Sequence, residues 1–261
     1  MRRSVLALGL LLFPIAAFAA DPMPKPELYS LHEEVVQPSM MARYEAATKD
    51  LIAALAAKNV VASSFNFRTA MTTDFHYIYL TPINSFADLD TMMHAWMTVG
   101  DTIGRDKWSD IEKRNEAAMT SYNDIVVMRR PDLSYSPANP RVPMDQARWT
   151  RLQFYYLMPG HEGDAEAVAR DYAALFKAKN ISDSYSIYFG VMGEDLPLLV
   201  AALPAKSAAD FAANDDRINA TLGADVLALQ ARAMAITRRF ETRDLILRPD
   251  LSYPPPAPPA K

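Results

Sequence analysis

The spacing of hydrophobic residues alternates along the chain between every second position and every third or fourth position. This change in spacing predicts alternating strands and helices. Residues 75–80, FHYIYL, and residues 151–158, RLQFYYLM, alternate as strands do. Residues 40–59 and 165–180 place apolar side chains every three to four positions, which indicates amphipathic helices. Ser85 is followed by an aspartate three residues later, a pattern that begins helices. Continued along the chain, these periods predict the order β-α-β-β-α-β twice.

The second half of the chain repeats the first. The hexapeptide RPDLSY occurs at 130–135 and again at 248–253, a shift of 118 positions. The tripeptide AKN recurs at a shift of 121, and the helix-starting serine at 122. Internal repeats of this kind identify tandem structural units. We therefore predict a first repeat over 21–136, a linker over 137–146, a second repeat over 147–254 and a Pro-rich tail over 255–261.

The repeated hexapeptide has a structural interpretation. Pro131 and Pro249 lack an N–H group, so each is predicted to end the fourth strand of its repeat. The Asp and Ser that follow are typical of turns, and the Leu and Tyr offer apolar area to hold the segment. The alternative is functional: Arg130 and Arg248 could form an anion site.

Each repeat resembles the ferredoxin-like fold, and two in tandem resemble the dimeric α+β barrel superfamily fused into one chain. The resemblance covers residues 28–253 and rests on the element order and the internal repeat. It implies an α+β fold in which two four-stranded sheets face each other and helices cover the outside. Members include monooxygenases, haem-degrading enzymes, dye-decolourising peroxidases, chlorite-dismutase-like proteins and NIPSNAP-like proteins. Because these functions differ, the fold alone selects none of them.

The N-terminal residues and the composition predict where the protein is located and which partners are not expected. Residues 1–20 combine early arginines, an apolar run and an Ala-Phe-Ala site, and are therefore predicted to be a signal peptide. We expect an exported protein, periplasmic or extracellular, with no transmembrane segment in the mature chain. The absence of cysteine excludes disulfides. With a net charge of −4 and no basic run, nucleic acid is not an expected partner.

Motifs for catalysis or metal binding are missing from the sequence. There is no GxSxG motif, no glycine-rich phosphate loop and no cysteine nucleophile. The four histidines do not form an HxH or HxxxH pair, so neither a metal nor a cofactor is predicted. His76 is expected to be a hydrogen-bonded core residue facing the helices, and His94 to be exposed. In chlorite-dismutase-like members, the resemblance implies a haem-ligating histidine in the helical layer of the second domain, and this half of the chain offers only His161.

A candidate ligand site comes from the strands of the first repeat. The sheet face opposite Phe65 and Phe67 is predicted to be polar, and the aligned face of the second repeat to be mostly apolar. We predict that this site orients an anionic or carbonyl group through an arginine and presents tyrosine rings to the ligand. Its candidate residues are Asn66, Arg68, Tyr77, Tyr79 and Tyr188. The alternative is a polar network between the sheets in which Glu34 is the partner of the arginine.

Three functional hypotheses remain open at this stage. The leading one is an exported protein that binds a small organic ligand between or beside the two sheets. The second is an enzyme, either a cofactor-independent monooxygenase or a haem-dependent enzyme, as the resemblance allows. The third is a structural envelope protein. The sequence leaves the oligomeric state open.

Overall fold

The computed structural model describes residues 24–60 and 65–253, which form an α+β fold. The predicted leader, 1–20, and the predicted tail, 255–261, lie outside the described residues. The strands are β1 Glu27–Val36, β2 Arg68–Met71, β3 His76–Ile83, β4 Met119–Arg129, β5 Trp149–Leu157, β6 Ser186–Met192, β7 Leu198–Ala205 and β8 Thr237–Leu247. The helices are α1 Met41–Ala57, α2 Ala87–Ile103, α3 Arg105–Glu116, α4 Glu162–Ala178, α5 Ala208–Leu222 and α6 Ala224–Ala235. Across these described ranges no helix is long and apolar enough to cross a membrane.

The second helix of each repeat is broken into two, which the sequence analysis did not predict. The break between α2 and α3 falls at Gly104, whose φ is 101°, and the break between α5 and α6 falls at Gly223, whose φ is 60°. Glycine adopts positive φ without the steric cost of a Cβ atom. Each half therefore carries three helices on its sheet.

All strand pairs are antiparallel and close into one barrel, in the order β1-β3-β2-β8-β5-β7-β6-β4. The first half contributes the sheet β4-β1-β3-β2 and the second half the sheet β6-β7-β5-β8. The pairs β2–β8 and β4–β6 join the two sheets. The predicted fused barrel of two ferredoxin-like repeats is confirmed.

Each sheet has one side toward the barrel interior and one toward the helices. The interior side carries packed apolar residues, among them Phe154 and Val200 in one cluster and Ile78 and Leu245 in another. The helix-facing sides form the larger clusters with the helices. The two helix-facing sides are the places where the halves differ most.

The RPDLSY segments hold the two halves together, each one binding the opposite half. Arg130, after β4, donates to Asp132 at 2.8 Å and to Glu166 on α4 at 2.6 Å. Arg248, after β8, donates to Asp250 at 2.9 Å and binds Glu45 on α1. We call these two arrangements the cross-half clamps. Because both guanidinium groups are already bound by carboxylates, the alternative of an anion site finds no support.

The remaining hexapeptide residues complete the clamps in the predicted way. β4 and β8 end directly before the Arg-Pro pairs. Ser134 Oγ accepts the N–H of Ile187 at 2.9 Å, and Ser252 Oγ accepts that of Thr69 at 2.9 Å. The tyrosine that ends each copy donates to a backbone carbonyl of the opposite half, at 2.8 and 2.7 Å. The structural interpretation of the repeated hexapeptide is therefore confirmed.

The same contacts correct the alignment of the two halves. Thr69 and Ile187 make the same bond and are therefore equivalent, at a shift of 118. Met71 pairs with Tyr77, whereas the equivalent Phe189 pairs with Leu199. The β6–β7 hairpin is therefore four residues longer than the β2–β3 hairpin. Carrying the shift of 122 through β2 would align Asn66 with Tyr188, which is wrong by these four residues.

Candidate functional site

The predicted site residues do not share one face of the sheet. Arg68 pairs with Leu80 on the barrel-interior side, whereas Tyr79 pairs with Thr69 on the helix-facing side. Tyr77 also lies on the helix-facing side, where it packs against helix α1. The prediction of a common face was wrong because the sequence does not reveal the β2–β3 register. Ile78, between the two tyrosines on the same strand, faces the barrel interior.

The other predicted residues are also dispersed. Tyr188 lies on the barrel-interior side, with its ring centroid 6.1 Å from that of Tyr29. Asn66 precedes β2 and is half-buried, and Arg68 is exposed. Glu34, expected to bind Arg68, instead accepts a hydrogen bond from Tyr44 on α1. The five predicted residues therefore do not converge on one site.

In the first half, hydrogen-bonded tyrosines fill the space between sheet and helices. Tyr44 is fully buried and its hydroxyl binds both Glu34 and, at 2.5 Å, the hydroxyl of Tyr79. Tyr77 donates to Glu45 at 2.8 Å, which links it to a cross-half clamp. Burial raises the pKa of the three phenols, so each remains a neutral donor. This region is a satisfied polar network with little room for a ligand.

The histidines lie apart from one another. His76 bonds Glu33 at 2.8 Å, as predicted, but on the barrel-interior side because of the β2–β3 register. His94 is exposed on α2, as predicted. His161 directly precedes α4, and its Nδ1 lies 2.8 Å from the Asp164 carboxylate.

The remaining histidine, His32, is held between two carboxylates. Its Nδ1 lies 2.8 Å from Asp124 and its Nε2 lies 3.1 Å from Glu34. Burial lowers the pKa of His32, but the hydrogen bonds to Asp124 and Glu34 outweigh it and raise the pKa to about 9. His32 is therefore a cation at neutral pH.

In the second half, the corresponding space is a cavity of about 190 Å³ between the sheet and helices α4, α5 and α6. Its walls are mainly apolar and include Phe176, Leu199 and Ile218. The cavity exists because small residues stand where the first half has tyrosines. Ala165 on α4 is equivalent to Tyr44, since Glu166 and Glu45 next to them bind the equivalent clamp arginines. Ala201 is equivalent to Tyr79 by strand register.

Three tyrosines bring polar groups to this second-half cavity. Tyr155, Tyr172 and Tyr185 all line it. Burial raises the pKa of Tyr155 to about 12 and raises those of Tyr172 and Tyr185 as well, so the three phenols are neutral at physiological pH. Tyr155 donates to Gln153, another cavity residue, at 3.1 Å. The cavity therefore combines apolar walls with neutral hydroxyl groups.

The hydroxyl of Tyr185 differs from its neighbours. Tyr185 is 8% exposed, and its hydroxyl oxygen is buried without a hydrogen-bond partner among the described residues. Its ring is held edge-on against Phe176, with the centroids 5.1 Å apart. The first half has Phe67 at the equivalent position, because Phe67 and Tyr185 form the same bridge to the last residue of an RPDLSY segment. The hydroxyl is thus an addition specific to the half with the cavity.

A cluster around Asp183 borders the cavity and holds helix α5. The Asp183 carboxylate accepts bonds at 2.7 Å from Arg141, Asn214 and Arg217. Arg141 also donates to Asp210 at the start of α5, at 2.7 Å. Asn214 and Arg217 lie on α5 itself, a helix in which only Leu222 is fully buried. Polar bonds therefore contribute much of what holds α5 over the cavity.

The cavity does not fit a haem group. None of the residues that line it is histidine, cysteine or methionine, and these are the usual axial ligands besides tyrosinate. The lining tyrosines are held as neutral phenols. Within the described part of the chain, no cluster of three His, Cys, Asp or Glu residues could hold a metal ion. The donor set fits an organic molecule better than a metal centre.

Sequence reasoning missed the cavity tyrosines and Asp183, although one signal was present. The aligned strands showed tyrosines in the first half where the second half has Leu199 and Ala201. This contrast was interpreted as two sheet faces that oppose each other. In the folded chain it instead distinguishes a filled helix–sheet interface from an open one.

Comparison with solved structures agrees with this architecture. An anthrone oxidase-like protein aligns with a TM-score of 0.53 at 12% identity, covering 85% of this chain and 91% of that one. A protein from Fusobacterium nucleatum, proposed to be a monooxygenase, aligns with a TM-score of 0.50 at 9% identity, covering 85% and 92%. A chlorite dismutase variant from Candidatus Nitrospira defluvii gives 0.49 at 10% identity, covering 86% and 92%.

These likenesses establish the fold alone: the chain shares the α+β barrel of these solved structures. No protein-family model matches the chain. No curated protein matches it at a significant level. The function must therefore be argued from the site.

Proposed function

We propose that the protein binds a small, uncharged and largely apolar organic molecule in the second-half cavity. The observation that carries this proposal is the contrast between the halves: the same scaffold is filled by tyrosines in one half and left open in the other. An unfilled apolar volume costs stability, because its lining loses van der Waals contacts. A bound molecule would restore those contacts.

The size of the cavity limits the ligand. An apolar cavity of roughly 150 Å³ holds one benzene ring, and the cavity here is about 190 Å³. One ring, or two small fused rings, therefore matches the space. The polar groups around it, chiefly hydroxyl and amide groups, orient a ligand within an apolar pocket.

The charges around the cavity favour a neutral ligand. Arg141 lines the cavity, and both Arg141 and Arg217 are paired with Asp183, another lining residue. A ligand carboxylate would have to displace that pair or remain buried without a counter-charge, which is unfavourable. The expected ligand is therefore uncharged.

Catalysis is a weaker proposal than binding. A cofactor-independent monooxygenase, the alternative raised by the resemblance, requires a base that removes a proton from its substrate. The cavity phenols have raised pKa values and act as donors. Asp183 is bound by two arginines and an asparagine, which stabilise its carboxylate as an ion-pair partner. A purely structural envelope protein would bind no such ligand.

Titration with two nine-carbon probes, indane and 1-indanone, tests the proposal by isothermal titration calorimetry. At least one should bind with a Kd below about 1 mM, which corresponds to roughly −4 kcal/mol. The variant Ala169→Leu places extra methyl groups in the cavity lining and should weaken binding at least tenfold.

The matched control is Ala174→Leu, which makes the same change at an exposed position of the same helix and should leave binding unaltered. The proposal fails if neither probe binds the wild-type protein. It also fails if Ala169→Leu binds the probes as tightly as the control does.

We also propose that the protein is exported, on the basis of the leader-like residues 1–20. Mass spectrometry of the protein recovered from its native compartment should give a mature chain that begins at Ala20 or Asp21. An intact Met1 in a membrane fraction would instead indicate a retained anchor.

A further inference from the structure

Among the polar groups that line the second-half cavity, the Tyr185 hydroxyl is the one that is buried without a hydrogen-bond partner in the described part of the chain. A buried hydroxyl that makes no hydrogen bond is unfavourable and rare in native proteins. The first half avoids this arrangement by having Phe67 at the equivalent position. The hydroxyl is therefore not needed to build the scaffold.

We infer that Tyr185 determines the ligand class by donating a hydrogen bond to an uncharged oxygen acceptor, such as a ring-bound carbonyl. This inference rests on the proposed function and specifies its ligand. A neutral phenol is a good hydrogen-bond donor and a poor base. It therefore favours a ligand with a hydrogen-bond acceptor over a ligand with an acidic group. The apolar walls then hold the ring that carries the carbonyl.

The surroundings of Tyr185 fix the direction of this donor. Its ring packs edge-on against Phe176 and is also 6.2 Å, centroid to centroid, from the ring of Tyr135. The backbone N–H and C=O of Tyr185 are both bonded to Tyr135. The side chain is thus anchored at its base and flanked by aromatic rings, so a ligand must bring its acceptor to the hydroxyl.

The probes indane and 1-indanone differ by a single carbonyl oxygen, and Tyr185→Phe removes the proposed donor without emptying the cavity. The quantity to measure is the Kd of indane divided by the Kd of 1-indanone. This ratio in the wild type is then divided by the same ratio in the variant. This double ratio cancels the different hydration of the two probes. We expect it to favour 1-indanone by roughly fivefold to tenfold, the usual effect of one buried hydrogen bond.

Two further measurements distinguish this role from a structural one. Tyr122→Phe removes an exposed hydroxyl on β4, outside the cavity, and should leave the preference for 1-indanone intact. Tyr185→Phe should unfold at the same or a higher denaturant concentration than the wild type, since it removes an unsatisfied buried group.

The inference is overturned if the double ratio is close to one, or if Tyr185→Phe clearly destabilises the protein, which would indicate that ordered water already satisfies the hydroxyl. In either case, binding of indane that depends on Ala169 would leave the proposed function standing. Failure of both probes to bind the wild type would overturn both.

Discussion

The helix-facing sides of the two sheets follow the same plan and are filled in opposite ways. In the first half, Tyr44 and Tyr79 occupy the interface and bond each other. In the second half, Ala165 and Ala201 leave a cavity at the same place. The cross-half clamps, by contrast, are nearly identical, with Glu45 in one and Glu166 in the other. The scaffold is therefore duplicated, whereas the lining of the two interfaces has diverged.

If the second-half cavity binds a ligand as proposed, this difference separates stability from binding within one chain. The filled half places hydrogen-bonded tyrosines between sheet and helices and gains the packing that a cavity forgoes. The open half keeps space, neutral donors and a loosely packed helix, α5, above them. A site that retains unfilled volume gives up stability, and the barrel that joins the halves allows the first half to offset this loss.

Breaking the clamps should give the largest effect. Arg248→Met leaves Glu45, whose side chain is only 16% exposed, without its main partner. We expect a loss of about 3 kcal/mol in the free energy of unfolding, the lower end of the range for a broken buried ion pair. Arg130→Met should lose a similar amount if the clamps are equivalent. Denaturant unfolding of both variants measures this.

The matched control is Arg232→Met, because Arg232 and Asp171 form an exposed pair in which each side chain is about half accessible. Its loss should be under about 1 kcal/mol. A clamp variant as stable as this control would show that the two halves are held together mainly by the strand pairs β2–β8 and β4–β6.

Removal of the Tyr44 hydroxyl should give the next largest loss of stability. Tyr44→Phe leaves the Glu34 carboxylate and the Tyr79 hydroxyl short of a partner. A hydrogen bond to a charged group contributes roughly 2 kcal/mol, so the free energy of unfolding should fall by about that amount. Tyr185→Phe serves as the comparison and should show no fall. Equal losses in the two variants would contradict the distinction between a filled and an open interface.

Sequence patterns predicted the repeated architecture well, because the signals for it are local. The alternation around Tyr77 and the prolines at 131 and 249 act on their own segments. The β2–β3 register is not set by such local signals, because it depends on which residue of one strand pairs with which residue of the other. A shift of one residue moves every side chain to the other face, and that single uncertainty misplaced Tyr77 and Tyr79.

The cavity could not be predicted for a related reason. It arises from what is missing at Ala165 and Ala201, and an alanine in a helix or strand has no distinctive pattern of its own. The partners of Asp183 likewise come from a linker residue, Arg141, and from α5, which are distant in sequence. Such convergence becomes visible only once the chain is folded.

The smallest expected effect concerns His32, for which the second half has Gln153 at the equivalent position of β5. The pKa of His32 is raised from an ordinary value of 6.5 to about 9 in the folded protein, as hydrogen bonds to Asp124 and Glu34 outweigh the effect of burial. A group whose pKa rises on folding stabilises the protein fully below its unfolded value, and that contribution is lost as pH rises through the folded value. Wild-type stability should therefore decline relative to His32→Gln between about pH 6.5 and pH 9.

The size of this decline is limited because the His32 side chain is 38% exposed and solvent screens its two carboxylate partners. We expect no more than about 1 kcal/mol. Denaturant unfolding of both proteins at pH 6, 7.5 and 9 measures the difference, and comparing the two removes the contribution of every other titrating group that they share. A constant difference across this range would show that His32 has the same pKa in the folded and the unfolded protein, so that Asp124 and Glu34 do not stabilise its protonated ring.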